Sequence, residues 1–163
     1  MGRKGLLLFF GALVVIGGIF IYKIATRPSD AEQIRLALKE SIQASKEGRP
    51  GSVVDLISDN FQINEGTTVA KGQIAKWIAQ LKPDIEIVDP KPVISGDAAV
   101  ITSPVHFRSA LFGLERQMDS VKITLQRESA REWLIIPSTK WRITQVFVPP
   151  DVVTSFTSSL GAG

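Results

Sequence analysis

Cysteine is absent from all 163 residues, and histidine and tyrosine occur once each, as His106 and Tyr22. The first absence removes disulfides, thiolate metal sites, thiol catalysis and lipoprotein attachment together, and is compatible with either side of a membrane. With one histidine there is no second imidazole to share a metal, so no metal site is expected. The chain also lacks a phosphate loop, a serine-nucleophile motif, a dinucleotide fingerprint and any internal repeat. No cofactor is implied. Acidic residues are missing from the first 29 positions. That asymmetry accounts for the basic pI of about 9.3. Four of the 19 basic residues (Arg3, Lys4, Lys23, Arg27) lie there, leaving 15 against 16 acidic ones, a net of −1 for the remainder. Those 15 are scattered singly rather than striped, so the footprint of a nucleic-acid binder is missing.

What is present instead is Gly5 to Tyr22, eighteen positions without a charge. At 1.5 Å of rise per residue, with Lys23 and Ile24 added, this run reaches roughly 30 Å, the thickness of a bilayer's hydrocarbon core. It is longer than the apolar stretch of a cleaved signal, and Lys23-Ile24-Ala25 lacks the first small residue of a cleavage site. Residues 1–4 are thus read as a short tail, 5–24 as a transmembrane helix and 25–29 as a linker, with the basic flanks at the headgroups. Tyr22 sits where that residue commonly anchors a helix at the interface. Sidedness is ambiguous. Lys23, Arg27, Arg35 and Lys39 outnumber Arg3 and Lys4, but a short tail with two positive charges is the usual start of a signal-anchor. The second consideration places the following domain outside the cytoplasm, on a cell (inner) membrane.

The rest predicts one α+β domain over 30–150, followed by a tail, 151–163, that has little to bury and is expected to be mobile. Ser29-Asp30-Ala31-Glu32 has capping-box spacing, and Ile34, Leu38 and Ile42 make one stripe of a helix over 31–47, stopped by Gly48 and Pro50. A short helix from Ser52, with Asp55 as capping partner, precedes extended chain at Phe61 and Ile63 and a turn at 64–68. A third helix over 70–81 repeats Ile74, Trp77, Ile78 and Leu81. The period then changes to two. Ile85 and Ile87 mark a short strand, 94–111 a long strand region with a turn at Ser95-Gly96-Asp97, 116–128 a clean alternation, and 140–148 a last strand with Trp141, Ile143, Gln145 and Phe147 on one face.

Three stretches in this order resemble the nuclear transport factor 2-like superfamily, which includes the SnoaL-like domains. They are Val53 to Phe61 (VVDLISDNF), Ser95 to Val100 (SGDAAV) and Lys140 to Val146 (KWRITQV). The resemblance covers about 30–150 and implies a cone of three helices packed on a curved, mainly antiparallel sheet that encloses an apolar pocket. Phe61, Trp77, Phe107, Trp141 and Gln145 are candidate pocket-lining residues. Some relatives use an Asp, Tyr or His for proton transfer, which would make Asp55, Asp97 and His106 the acid/base candidates here. Each has a plainer reading: a cap for Asp55, a left-handed turn residue for Asp97, and an outward strand position for His106 unless Pro104 introduces a bulge. No catalytic residue is assigned. Ser129 to Thr139 departs from the family pattern as an apolar insertion, either an extra edge strand or hairpin extension packed on the domain, or a docking surface for a partner or the bilayer.

Anchor plus fold resembles the inner-membrane scaffold subunits of type IV secretion machines and the accessory proteins of bacterial lipid-transport (Mce-type) systems. A bacterial source fits that layout. The sequence therefore points to a single-pass binding or assembly module, partnered by the membrane and by itself or other envelope proteins, with self-association through the outer sheet face. The alternatives are a SnoaL-like isomerase or cyclase, or a binder of an apolar, lipid-like small molecule.

Overall fold

The computed structural model describes residues 28–64, 66–109, 113–132 and 136–149. The apolar run, its flanks, Tyr22 and the C-terminal tail lie outside the described residues. Among those that are described, no helix is long and apolar enough to cross a membrane.

Three helices come first: α1 (Asp30–Lys46), α2 (Pro50–Leu56) and α3 (Lys71–Leu81). The capping signal of α1 is realised, since Ser29 Oγ accepts the Glu32 N–H at 3.3 Å and acidic Asp30 and Glu32 occupy the positive end of the helix dipole. Its other end is a Schellman motif. Gly48 N–H reaches the Ser45 carbonyl at 2.9 Å and Arg49 N–H the Ala44 carbonyl at 2.8 Å, which requires the left-handed φ of +72° that Gly48 supplies. The short helix starts two residues earlier than Ser52. Pro50 is its first residue, where a missing N–H costs nothing, and Arg49 is the N-cap without a side-chain bond. Asp55 is therefore not a capping partner, and Ser52 instead donates to Glu40 Oε1 at 3.1 Å.

The strands are β1 (Ile57–Ile63), β2 (Thr67–Thr68), β3 (Asp84–Ile87), β4 (Val93–Ser95), β5 (Ala98–Ser109), β6 (Leu114–Glu132) and β7 (Ile136–Phe147). They form one mixed sheet in the order β2-β1-β7-β6-β5-β3, with β4 also on β5. Only β1 and β7 pair in parallel. The expected turn at 64–68 is the bend of the β1–β2 hairpin. At Ser95-Gly96-Asp97 the left-handed residue is Gly96, at φ +59°, so Asp97 does not take that role. The described parts of the apolar insertion extend the β6–β7 hairpin, in register from Ser129↔Thr139 to Glu132↔Ile136, while residues 133–135 lie outside the described residues.

All three helices pack on one face. The main core joins Ile34 and Leu38 of α1 to Ala99, Ile101 and Val105 of β5, Val121, Ile123 and Leu125 of β6, and Trp141 of β7. Ile34, Ile101 and Leu125 have no exposed surface. A second core under α3 holds Ile57, Phe61, Val69, Ile74 and Ile78, and Ile143 and Val146 pack against both.

Two bulges curve the long strands. In β6, Asp119 and Ser120 stand against Pro104 alone, because Ser103 pairs with Val121 and Val105 with Met118. In β7, Thr144 is the extra residue, because Thr124 pairs with Gln145 and Leu125 with Ile143. Each bulge bends its strand and reverses its facing. The expectation that Gln145 and Phe147 share the apolar face with Trp141 and Ile143 is corrected on this ground. Val146 takes the inner position beside Ile123, while Gln145 and Phe147 turn outward beside Thr124 and Lys122.

Candidate functional site

Arg127 lies two positions beyond Leu125 and hence on the inner face, at the end of the sheet where α1 begins. A charge there needs a partner. It has three. Nη2 meets Asp30 Oδ2 at 2.6 Å, Nη1 lies 3.7 Å from Asp97 Oδ1, and the guanidinium sits over the Trp141 ring, 4.9 Å from its centroid. The Arg127 N–H also bonds the Asp97 carbonyl at 2.8 Å. Trp141 Nε1–H completes the group by donating to Asp30 Oδ1 at 3.3 Å. Both oxygens of Asp30 are thus taken, and the first turn of α1 is tied to β6 and β7.

Beside this cluster opens a cleft of about 300 Å³. Gln33, Ala37 and Glu40 of α1 form one wall, Ser52, Asp55 and Leu56 of α2 the other, and Thr139, Lys140 and Trp141 of β7 the floor. Its polar groups are mixed in sign. A second, more apolar groove of about 530 Å³ runs between α1 and β3, over Leu38, Ile42, Ile85, Ile87 and Pro90, with Arg35 and Lys39 at the rim.

The sequence-predicted residues do not converge on either space. Phe61 and Trp77 meet in the second core. Trp141 belongs to the main core and reaches the first cleft with one edge. Phe107 is half-buried near the far end of β5, between Ile85 and Arg116 in the ladder. Gln145 faces outward and donates through Nε2 to the Asn64 carbonyl at 3.1 Å, so it satisfies a backbone group. Asn64 is itself a tie: its N–H bonds Val146 and its side-chain oxygen accepts from Val148 N–H at 2.8 Å.

The three acid/base candidates belong to three different groups of side chains. Asp55 is exposed on the wall of the first cleft. Asp97 is exposed beside Arg127. His106 keeps its outward position, since the bulge opposite Pro104 is in β6 and leaves the alternation of β5 intact. Its Nδ1 is 4.0 Å from Glu86 Oε2, in an outer-edge group with Arg108, which lies 3.6 Å from Asp84 and 3.9 Å from Glu86. Elsewhere Lys71 Nζ holds Asp59 Oδ1 at 2.6 Å, and this hydrogen bond and charge hold the Asp59 carboxyl below its ordinary range. No metal-ligating group of three or more acidic or histidine side chains occurs among the described residues.

Asp30 and Arg127 were not singled out by sequence. Arg127 carries a usable signal, a cation at an inward position of an alternating strand. Asp30 is indistinguishable from an ordinary helix-start acid.

The fold is that of the nuclear transport factor 2-like proteins: three helices on a curved, mixed sheet. A nuclear transport factor 2-like protein with a cystatin-like fold from Novosphingobium aromaticivorans superposes with a TM-score of 0.53 at 14% identity, over 90% of each chain. A superfamily protein from Salmonella enterica gives 0.51 at 18% identity, over 73% of this chain and 89% of its own. A candidate ketosteroid isomerase from Shewanella frigidimarina gives 0.51 at 21% identity, over 69% of this chain and 91% of its own. No family model and no curated protein matches the sequence. At these identities the likeness defines the fold alone, and the fold serves both isomerase-like and binding roles.

Proposed function

We propose that this chain is a single-pass membrane protein that displays its nuclear transport factor 2-like domain as a binding or assembly module, with self-association through the outer face of β5, β6 and β7. The anchor is argued from the uncharged run Gly5 to Tyr22 and its basic flanks. One observation carries the choice of assembly over chemistry. The centre of the sheet's inner face is packed by the protein's own side chains, whereas no described element covers the outer face. An isomerase needs a base tuned by burial and held against its substrate. Asp55 and Asp97 are exposed and His106 points outward, so these three do not supply one.

The absence of cysteine makes the test direct. Thr102→Cys places one thiol at the exposed centre of the outer face, opposite Lys122, and Gln80→Cys places one on exposed α3. In native membranes, oxidation joins two Thr102→Cys chains and leaves Gln80→Cys monomeric. Equal yields from both positions overturn assembly through this face.

A second reading has its own observation, the apolar groove between α1 and β3. It fits a lipid-like small molecule, and native mass spectrometry of the purified chain reads a co-purified mass directly.

A further inference from the structure

Both ends of α1 are fixed to the sheet. Asp30 is held by Arg127 and Trp141, while at the other end Ser45 Oγ donates to the Pro83 carbonyl at 3.0 Å and Lys46 Nζ meets Asp84 at 3.1 Å. Helix and sheet therefore move as one body, and the freedom of the domain relative to an anchor lies in the residues before Asp30. Six Cα steps separate residue 24 from Asp30, a reach of at most about 20 Å. By contrast, β6 runs from Ser129, beyond the Asp30–Arg127 contact, to Glu115 at the opposite end. That is roughly 45 Å of strand at 3.3 Å per residue.

Neither broad face competes for the bilayer. The outer face carries Lys122, Gln126, Glu128 and Arg142, with Arg142 Nε 3.6 Å from Glu128 Oε2. On the exposed side of α1, Glu32, Glu40 and Glu47 are interspersed with Arg35, Lys39 and Lys46. Mixed charge gives no net attraction to an anionic surface.

We infer that the sheet end carrying Asp30, Asp97, Arg127 and the base of the β6–β7 hairpin is the bilayer-facing end of the domain, and that the opposite end, where β5 finishes at Ser109 and β6 starts at Leu114, is its far end. The partner of this end is a lipid surface. The domain stands on it with the strands pointing away, which leaves the outer face of β5 to β7 free along its side for a second copy. This inference rests on the anchored reading above.

The test uses the full chain in phosphatidylcholine vesicles bearing an acceptor dye on their headgroups, with a short-range donor on Ser129→Cys or on Glu115→Cys, both exposed positions. With a tether of at most about 20 Å and a further roughly 45 Å of strand, a short-range donor is expected to transfer from Ser129 and to lose nearly all transfer at Glu115. Equal or reversed transfer in chains that float with the vesicles after an alkaline carbonate wash overturns the inference and leaves the anchor standing. Failure to float overturns the anchored reading itself, and this inference with it.

Discussion

Replacing Arg127 by Ala removes three contacts at once, and the structure sets their size. The 2.6 Å ion pair with Asp30 joins side chains that are 29% and 40% exposed, so solvent screening limits it to about 0.5–1 kcal/mol. Stacking of the guanidinium on Trp141 at 4.9 Å contributes about 0.5–1 kcal/mol more. The 3.7 Å contact with Asp97, whose side chain is 80% exposed, contributes nothing measurable. The expected destabilisation is therefore about 1–2 kcal/mol, or roughly 5 °C in the unfolding midpoint for a domain of this size.

Asp30→Ala alone also removes an acid from the first turn of α1, worth about 0.3–1 kcal/mol through the helix dipole, and leaves the Trp141 N–H without its acceptor. The double variant separates these effects. Urea unfolding followed by tryptophan fluorescence on wild type, both single variants and the double variant should give a coupling energy of about 0.5–1 kcal/mol. It should shrink in 1 M salt, where the screening length falls to about 3 Å. A coupling below about 0.3 kcal/mol, within the error of additive sites, would refute the assignment of Asp30 and Arg127 as a tie between helix and sheet.

Two further outcomes follow from single contacts. Gly48→Ala forces a Cβ into the left-handed φ of +72° and within 3.0 Å of Lys82 side-chain carbons, so it should cost about 1–2 kcal/mol by the same urea assay; an unchanged midpoint would contradict the Schellman geometry. Because the folded-state pKa of Asp59 is depressed by Lys71, their pairing contributes above the unfolded aspartate pKa and is lost as pH falls through the folded value, below about pH 4. Carboxyl-detected NMR titration of Lys71→Ala should show Asp59 moving back up toward its ordinary value, and no movement would remove Lys71 as the cause.

The order of elements was legible because each rests on local chemistry. Ser29 and Gly48 bound the first helix, Ile34, Leu38 and Ile42 define its buried stripe, and the switch from four-residue to two-residue spacing after Pro83 marks the start of the long strands. The partners of those elements were not legible, because they depend on register. Asp30 and Arg127 are 97 residues apart, and nothing near either predicts the other. The same holds for Ser58, whose hydroxyl bonds Glu128 at 2.6 Å across 70 residues. Of the candidate pocket residues, Phe61 and Trp77 pack with Ile74 and Ile78 in the second core, a partnership that depends on tertiary packing rather than on local spacing.

The bulges explain where alternation misleads. A sheet that wraps α1 must bend, and the bends come from one extra residue in β6 and one in β7. Each extra residue shifts every later side chain to the opposite face. Strict alternation therefore fails where the cone is shaped, and Gln145 is misassigned because it follows Thr144. The sequence carries a mark of both bends: inward apolar residues three apart in a strand, Met118 with Val121 and Ile143 with Val146, where a flat strand would space them by two or four. Read this way, the pairs Met118–Val121 and Ile143–Val146 locate the curvature and send Gln145 outward. They also explain why the outer face near Lys122, Thr124, Gln145 and Phe147 is more mixed than its neighbours, with the Lys122 ammonium 6.0 Å from the Phe147 ring centroid. The same bends that close the inner face around α1 thus put an aromatic ring and an amide on the face left open.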